Sequence, residues 1–194
     1  MAFECAGLPL QFWAEMSIDQ AFEKVSRVEA LLRDGLSDVI RVSGGDLCAA
    51  IADRVINEGR GANGQAFRPY SDRGVPAFFY FGRSRSAAGE SRMRRAAKER
   101  KAVSYREFRA ANNLPTGIKN FSFTNDMWRH FGVKSVKPSA NGYTLTIGGT
   151  TPAAQNKIRW NSEKEGRSII DPNPEEKGRI VAVIVETLKR AING

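Results

Sequence analysis

Beyond Asn173 the chain carries Ile180, Val183, Ile184, Thr187, Leu188 and Ala191 in helical register, and Val181, Val185 and Ile192 widen the stripe they form. An apolar stripe that wide has to be covered on more than one side. Asn173 supplies an N-cap, Pro174 stands at the first helical position, and Glu175 and Glu176 put acids in the first turn. Any fold for this chain must therefore lay other elements, or neighbouring copies, over a C-terminal helix.

Upstream, the hydrophobic period changes. Ser139-Ala140-Asn141-Gly142 separates residues 133–137 from residues 143–147, and Asn-Gly between two such runs is a strong hairpin signal. Tyr143, Leu145 and Ile147 point one way while Thr144 and Thr146 point the other, the alternation of a half-buried antiparallel strand. Thr151-Pro152 opens a helix that runs through Trp160 to about Gly166, and Thr124 or Asn125 caps a turn carrying Met127, Trp128 and Phe131. Near the start, Ser17 with Gln20 reads as a capping box, followed by Ala21, Phe22, Val25, Val28, Leu31 and Leu32 at helical spacing until Gly35. A second helix is predicted over 46–57, with Leu47, Ile51 and Val55 a turn apart, ending in a glycine-rich loop at 59–64. The fold class is α+β, a small antiparallel sheet packed against helices.

The middle third carries weaker signals. Residues 75–81 contain Phe78-Phe79-Tyr80-Phe81, aromatic and short enough for a strand. After Gly82 the apolar positions thin to Met93, Ala96 and Ala97, which give a helix little to bury, so 82–101 is expected to be an extended basic arm or loop. Ser104 and Glu107 then form a capping box for a short helix to about Asn112. At 194 residues the chain makes one domain or one domain with an appendage. The expected division is a helical extension, 1–45, and an α+β core, 46–194, that includes the arm.

Charge is distributed unevenly. The chain has 30 Lys and Arg against 21 Asp and Glu, a net charge of +9. Between Arg83 and Arg109 stand ten basic residues and three acids, so most of the surplus lies in one segment. Its cations Arg83, Arg85, Arg92, Arg94, Arg95, Lys98, Arg100 and Lys101 are candidates for contact with an acidic protein surface or with nucleic-acid phosphates. A solvated loop is the third reading. Tyr105 and Phe108 are placed to stack bases, but they fall on an amphipathic helix where core packing competes.

Residues for bond-making chemistry are sparse. The single histidine, His130, has no convergent Cys, Asp or Glu in the sequence around it. Cys5 and Cys48 have neither a CxxC spacing nor a second histidine, and they read as reduced thiols. The 59–64 loop lacks both the GxxxxGK[ST] and the GxGxxG patterns. Capping accounts for Asp171, Glu175 and Glu176. The expectation is a protein with no catalytic residues, no metal and no cofactor. No run of eighteen apolar residues suggests a membrane span, and the first residues lack the pattern of a secretory signal.

Gly61-Ala62-Asn63-Gly64-Gln65-Ala66-Phe67-Arg68-Pro69-Tyr70-Ser71 resembles a glycine, aromatic, proline and serine stretch of tailed-phage virion morphogenesis proteins, the neck and tail-completion family. A basic loop follows in that family, then a short helical segment and a hairpin, here 123–147. Ala153-Ala154-Gln155-Asn156-Lys157-Ile158-Arg159-Trp160-Asn161 and Gly166-Arg167-Ser168-Ile169-Ile170-Asp171-Pro172 are similar to its ending. Where that family has His-Gln-x-Gly after the hairpin, this chain has Lys157-Ile158-Arg159-Trp160-Asn161. The resemblance spans 46–194. It implies a structural virion protein, made in the host cytoplasm and built into the neck. There it would form a homo-oligomeric ring of six or twelve copies between the portal or adaptor and the tail, with non-specific contact to packaged DNA. A ring subunit needs apolar surface beyond its own core, and Phe78, Phe79, Tyr80, Phe81, Val181 and Val185 are the candidates. A basic nucleic-acid-binding module is the alternative.

Overall fold

The computed structural model describes residues 18–31, 35–139 and 142–193. The Ser17 cap, Leu32, Cys5 and the Ala140-Asn141 pair of the hairpin turn lie outside them. Helices α1 (Ile18–Ala30), α2 (Leu36–Asp53), α3 (Ala87–Lys98), α4 (Tyr105–Ala111), α5 (Asp126–Arg129), α6 (Pro152–Glu165) and α7 (Pro174–Asn193) are joined by two antiparallel pairs. The pairs are β1 (Gly74–Pro76) with β2 (Ala102–Ser104), and β3 (Phe131–Ser139) with β4 (Gly142–Gly149). The chain is α+β.

The larger of two hydrophobic clusters joins Leu47, Ile51 and Val55 of the α2 region to Phe67, Met127, Trp128, Ile158 and Ile169. The β3–β4 hairpin lies against α2, and α7 packs on α2 and on α1. Leu145 and Ile147 reach this cluster from β4, whose residues alternate between half-buried and exposed up to Ile147, as the sequence predicts. Gly44 lets α2 approach the hairpin closely: a Cβ there would stand 2.8 Å from Val133 Cγ2 and 2.9 Å from Leu145 Cδ1. Predicted caps hold at α6, where Thr151 Oγ1 accepts from the Ala154 N–H, and at α4, where Ser104 and Glu107 cap each other. At α7 the Asn173 side chain accepts from the Glu176 N–H and the Glu176 carboxylate from the Asn173 N–H, each at 2.7 Å.

The helix predicted over 46–57 begins at Leu36 and passes into a π-helical turn, Arg54–Glu58, closed by Gly59 at φ +66°. A division after residue 45 thus falls inside one continuous helix that buries Ile40 before it and Leu47 after it. The turn also carries Arg54, which is buried with Glu176. Its Nε is 2.8 Å from Glu176 Oε1, and further donors reach the carbonyls of Arg60 and Asp171. Capping therefore describes only part of what Glu176 does.

The second cluster holds Ala77, Tyr80, Met93, Val103, Phe108 and Ala111. It corrects two expectations. Residues 75–81 are not a strand beyond Pro76: Ala77–Tyr80 form a 3₁₀ turn that buries Ala77 and Tyr80, three positions apart. The segment expected as an extended arm is instead helix α3 over most of its length, capped by Ser86, whose hydroxyl accepts from the Gly89 N–H. Its alanines favour helix. Met93 has a core to enter because Tyr80 and Phe108 arrive from the elements on either side and stack with centroids 4.3 Å apart. Small Ala96 and Ala97 pack against the same cluster.

Asn120 ties the two clusters together. Its Oδ1 accepts from the Tyr70 hydroxyl and from Arg109 Nη2, and its carbonyl accepts from the Trp128 indole.

Candidate functional site

Helix formation places four of the basic residues, Arg92, Arg94, Arg95 and Lys98, on α3, while Arg83, Arg85, Arg100 and Lys101 flank it. All eight candidate cations, Arg83, Arg85, Arg92, Arg94, Arg95, Lys98, Arg100 and Lys101, are exposed. Arg94 and Lys98 are one turn apart on α3, so they share a face. The Arg94 guanidinium lies 5.1 Å from the Phe81 ring centroid, and an open groove of about 960 Å³ runs past Phe81, Arg94, Arg95 and Lys98. Counter-charges nearby are few. Arg94 meets Glu90 at 3.1 Å and Lys101 meets Glu99 at 2.7 Å, both at the solvent edge. The Lys101 ammonium holds the Glu99 carboxyl below its ordinary range. Exposed pairs of this kind add little stability, so these cations do not hold the fold together.

Beside them stands apolar surface. Phe78 and Phe79 stack on each other with centroids 4.7 Å apart, yet remain 56% and 53% exposed, and Phe81 is 37% exposed. Tyr80 is a correction: it is buried in the second cluster and offers nothing to a partner. Val181 and Val185 are exposed on α7. Sequence reasoning missed their neighbours on α1, where Ile18, Phe22 and Val25 all project outward. The signal was present in part, because Phe22 and Val25 belong to the apolar stripe read on that helix. Arg109, counted in the basic segment, points inward and is buried.

The remaining polar candidates stand apart from one another. Against the expectation that no acid is arranged near His130, its Nε2 is 3.7 Å from Oδ1 of Asp126, one helical turn away near the surface, and Asp126 also receives Lys157 at 2.6 Å. The Lys157 hydrogen bond holds the Asp126 carboxyl below its ordinary range. Burial pushes the Cys48 thiol up to about 11. Among the described residues, no three of His, Cys, Asp and Glu stand together as metal ligands, and no helix is long and apolar enough to cross a membrane. Compared with protein-family models, with curated proteins and with solved structures, the chain matches none.

Proposed function

We propose that this protein is a structural assembly protein of a tailed-phage neck. Copies would join into a ring that links the head, at its portal or adaptor, to the tail, without catalysis. The observation that carries this reading is exposed Phe81 beside the α3 cations Arg94, Arg95 and Lys98, with the exposed, stacked rings of Phe78 and Phe79 just before it in the chain. Exposed aromatic rings flanked by arginines are the composition of a docking surface, since aromatic residues and arginine are enriched where proteins meet. A second, unlike apolar surface on α1 and α7 supports it. Two unlike patches on one chain permit head-to-tail contacts, which close into a ring when the rotation between neighbours divides a full turn. The α3 cations fit an acidic surface on the next protein in the stack.

Light scattering and electron micrographs of the purified protein, alone and with assembling particles, test the reading. Symmetric oligomers are expected, disrupted by Phe78→Ser with Phe79→Ser. Charge reversal at Arg94, Arg95 and Lys98 is expected to leave the fold intact and to block joining to the particle. A monomer at every concentration and in every mixture, or a normal particle yield from the charge-reversed variant, rejects it.

A further inference from the structure

A second concave site lies where the two hydrophobic clusters meet, away from the α3 face. It is a cleft of about 490 Å³ between α6 and the 119–123 segment. One face of α6 supplies Lys157, Trp160, Asn161 and Lys164, which follow one another at helical spacing; Tyr70, Tyr105, Phe121 and Phe123 face them. Aromatic rings thus make up much of the lining. Among the described residues, the lining carries positive charge at Arg109, Lys119, Lys157 and Lys164 and no carboxylate.

Two of these charges are already answered from behind the lining, Lys119 by Glu165 and Lys157 by Asp126, each at 2.6 Å. Among the described residues, the other two meet no carboxylate. Arg109, only 1% exposed, spends its donors on the carbonyls of Pro115 and Ser122 and on Asn120 Oδ1 and lies 4.2 Å from the Tyr70 ring centroid, so among the described residues its charge is buried without a carboxylate. The Lys164 ammonium rests 3.8 Å from the Trp160 ring centroid. Trp160 itself is 55% exposed, and the Lys164 ammonium covers only part of so large a ring.

We propose that this cleft binds a single-stranded segment of nucleic acid. A base or two would enter against Trp160 and the facing aromatics, with a backbone phosphate on Lys164, the lining lysine that no carboxylate answers among the described residues. Rings recognise flat bases, and cations at the rim track the phosphate chain, which is how non-sequence-specific strand binding is built. A duplex keeps its bases stacked inside and presents none to a cleft of this size. An acidic peptide would satisfy the cations and leave the rings without a matching surface. The inference rests on different residues from the assembly face and stands or falls separately.

Fluorescence anisotropy of a labelled twelve-nucleotide dT strand, titrated with the full-length protein at about 50 mM salt, reads the binding. Trp160→Ala should weaken it roughly tenfold or more, with Trp160→Phe recovering most of the loss because a ring remains. Lys164→Glu should weaken it and lower the slope of log affinity against log salt by about one or more. Both positions are exposed, and circular dichroism checks that each variant is folded. The Arg94, Arg95 and Lys98 charge-reversed variant should keep the Trp160 dependence. The proposal is overturned if the strand does not bind, if folded Trp160→Ala binds as wild type does, or if a duplex of equal length or polyglutamate competes as well as dT.

Discussion

Replacing Arg54 with methionine removes a buried ion pair that links the turn at the end of α2 to the first turn of α7. The two side chains are 122 residues apart in sequence and almost fully buried, with two hydrogen bonds at 2.8 and 3.2 Å between guanidinium and carboxylate. Arg54→Met removes that pairing and also the donors to the carbonyls of Arg60 and Asp171. What remains is a buried Glu176 carboxylate that has lost its one cationic partner among the described residues. Breaking a buried pair from one side costs about 3–5 kcal/mol, most of it the stranded charge. In a chain of this size 1 kcal/mol moves the melting temperature by about 2–4 °C, so a fall of roughly 6–20 °C is expected. Adding Glu176→Gln removes the stranded charge while leaving an amide oxygen to accept from the Asn173 N–H, which now bonds the carboxylate at 2.7 Å. The double variant should therefore be more stable than Arg54→Met alone, by about 1–3 kcal/mol. Urea and thermal unfolding followed by circular dichroism give both numbers. A loss below about 1 kcal/mol for the single variant, or a double variant less stable than the single, would refute the reasoning.

Two further perturbations test packing and capping. At Gly149 an added Cβ would stand 2.7 Å from the backbone carbonyl carbon of Ala154, whereas at Gly44 it meets only the ends of Val133 and Leu145 side chains. Gly149→Ala should therefore destabilise by about 3 kcal/mol or more, and Gly44→Ala by less, as urea midpoints will report; equal losses would contradict the distinction between backbone and side-chain overlap. Ser104→Ala should cost about 1 kcal/mol at neutral pH by removing half of the α4 capping box. The Ser104 backbone N–H and then its hydroxyl hold the Glu107 carboxyl below its ordinary value. A carboxyl lowered by folding stabilises fully above its unfolded value, about 4.3, and the contribution disappears as pH falls through the folded value. The gap between wild type and Ser104→Ala should accordingly narrow on acidification; a gap that widens toward low pH would be inconsistent with it.

The C-terminal third was legible residue by residue because its signals are local. Thr151-Pro152 and Gly166 bracket α6, Asn173-Pro174 opens α7, and the β4 alternation announces a half-buried strand. Each depends on backbone geometry within a few residues, which the sequence carries by itself. The same holds for the Ser104–Glu107 box and for the clustering of cations between Arg83 and Lys101.

Tertiary structure alone decided whether those cations sit on an extended arm or a helix. Met93, Ala96 and Ala97 justify a helix only once Tyr80 and Phe108 provide something to bury them against. It also decided which charges are interior. Arg109 reads like its neighbours in the basic run, yet three oxygens from the 115–122 loop draw it inside, and Arg54 and Glu176 become partners across most of the chain. The cleft joining α6 to the 119–123 segment belongs to the same class, since its lining comes from stretches between residues 70 and 164. Local propensity is a property of neighbouring backbone, whereas burial and charge pairing are set by whatever the fold brings within a few ångströms, and no spacing in the sequence records that distance.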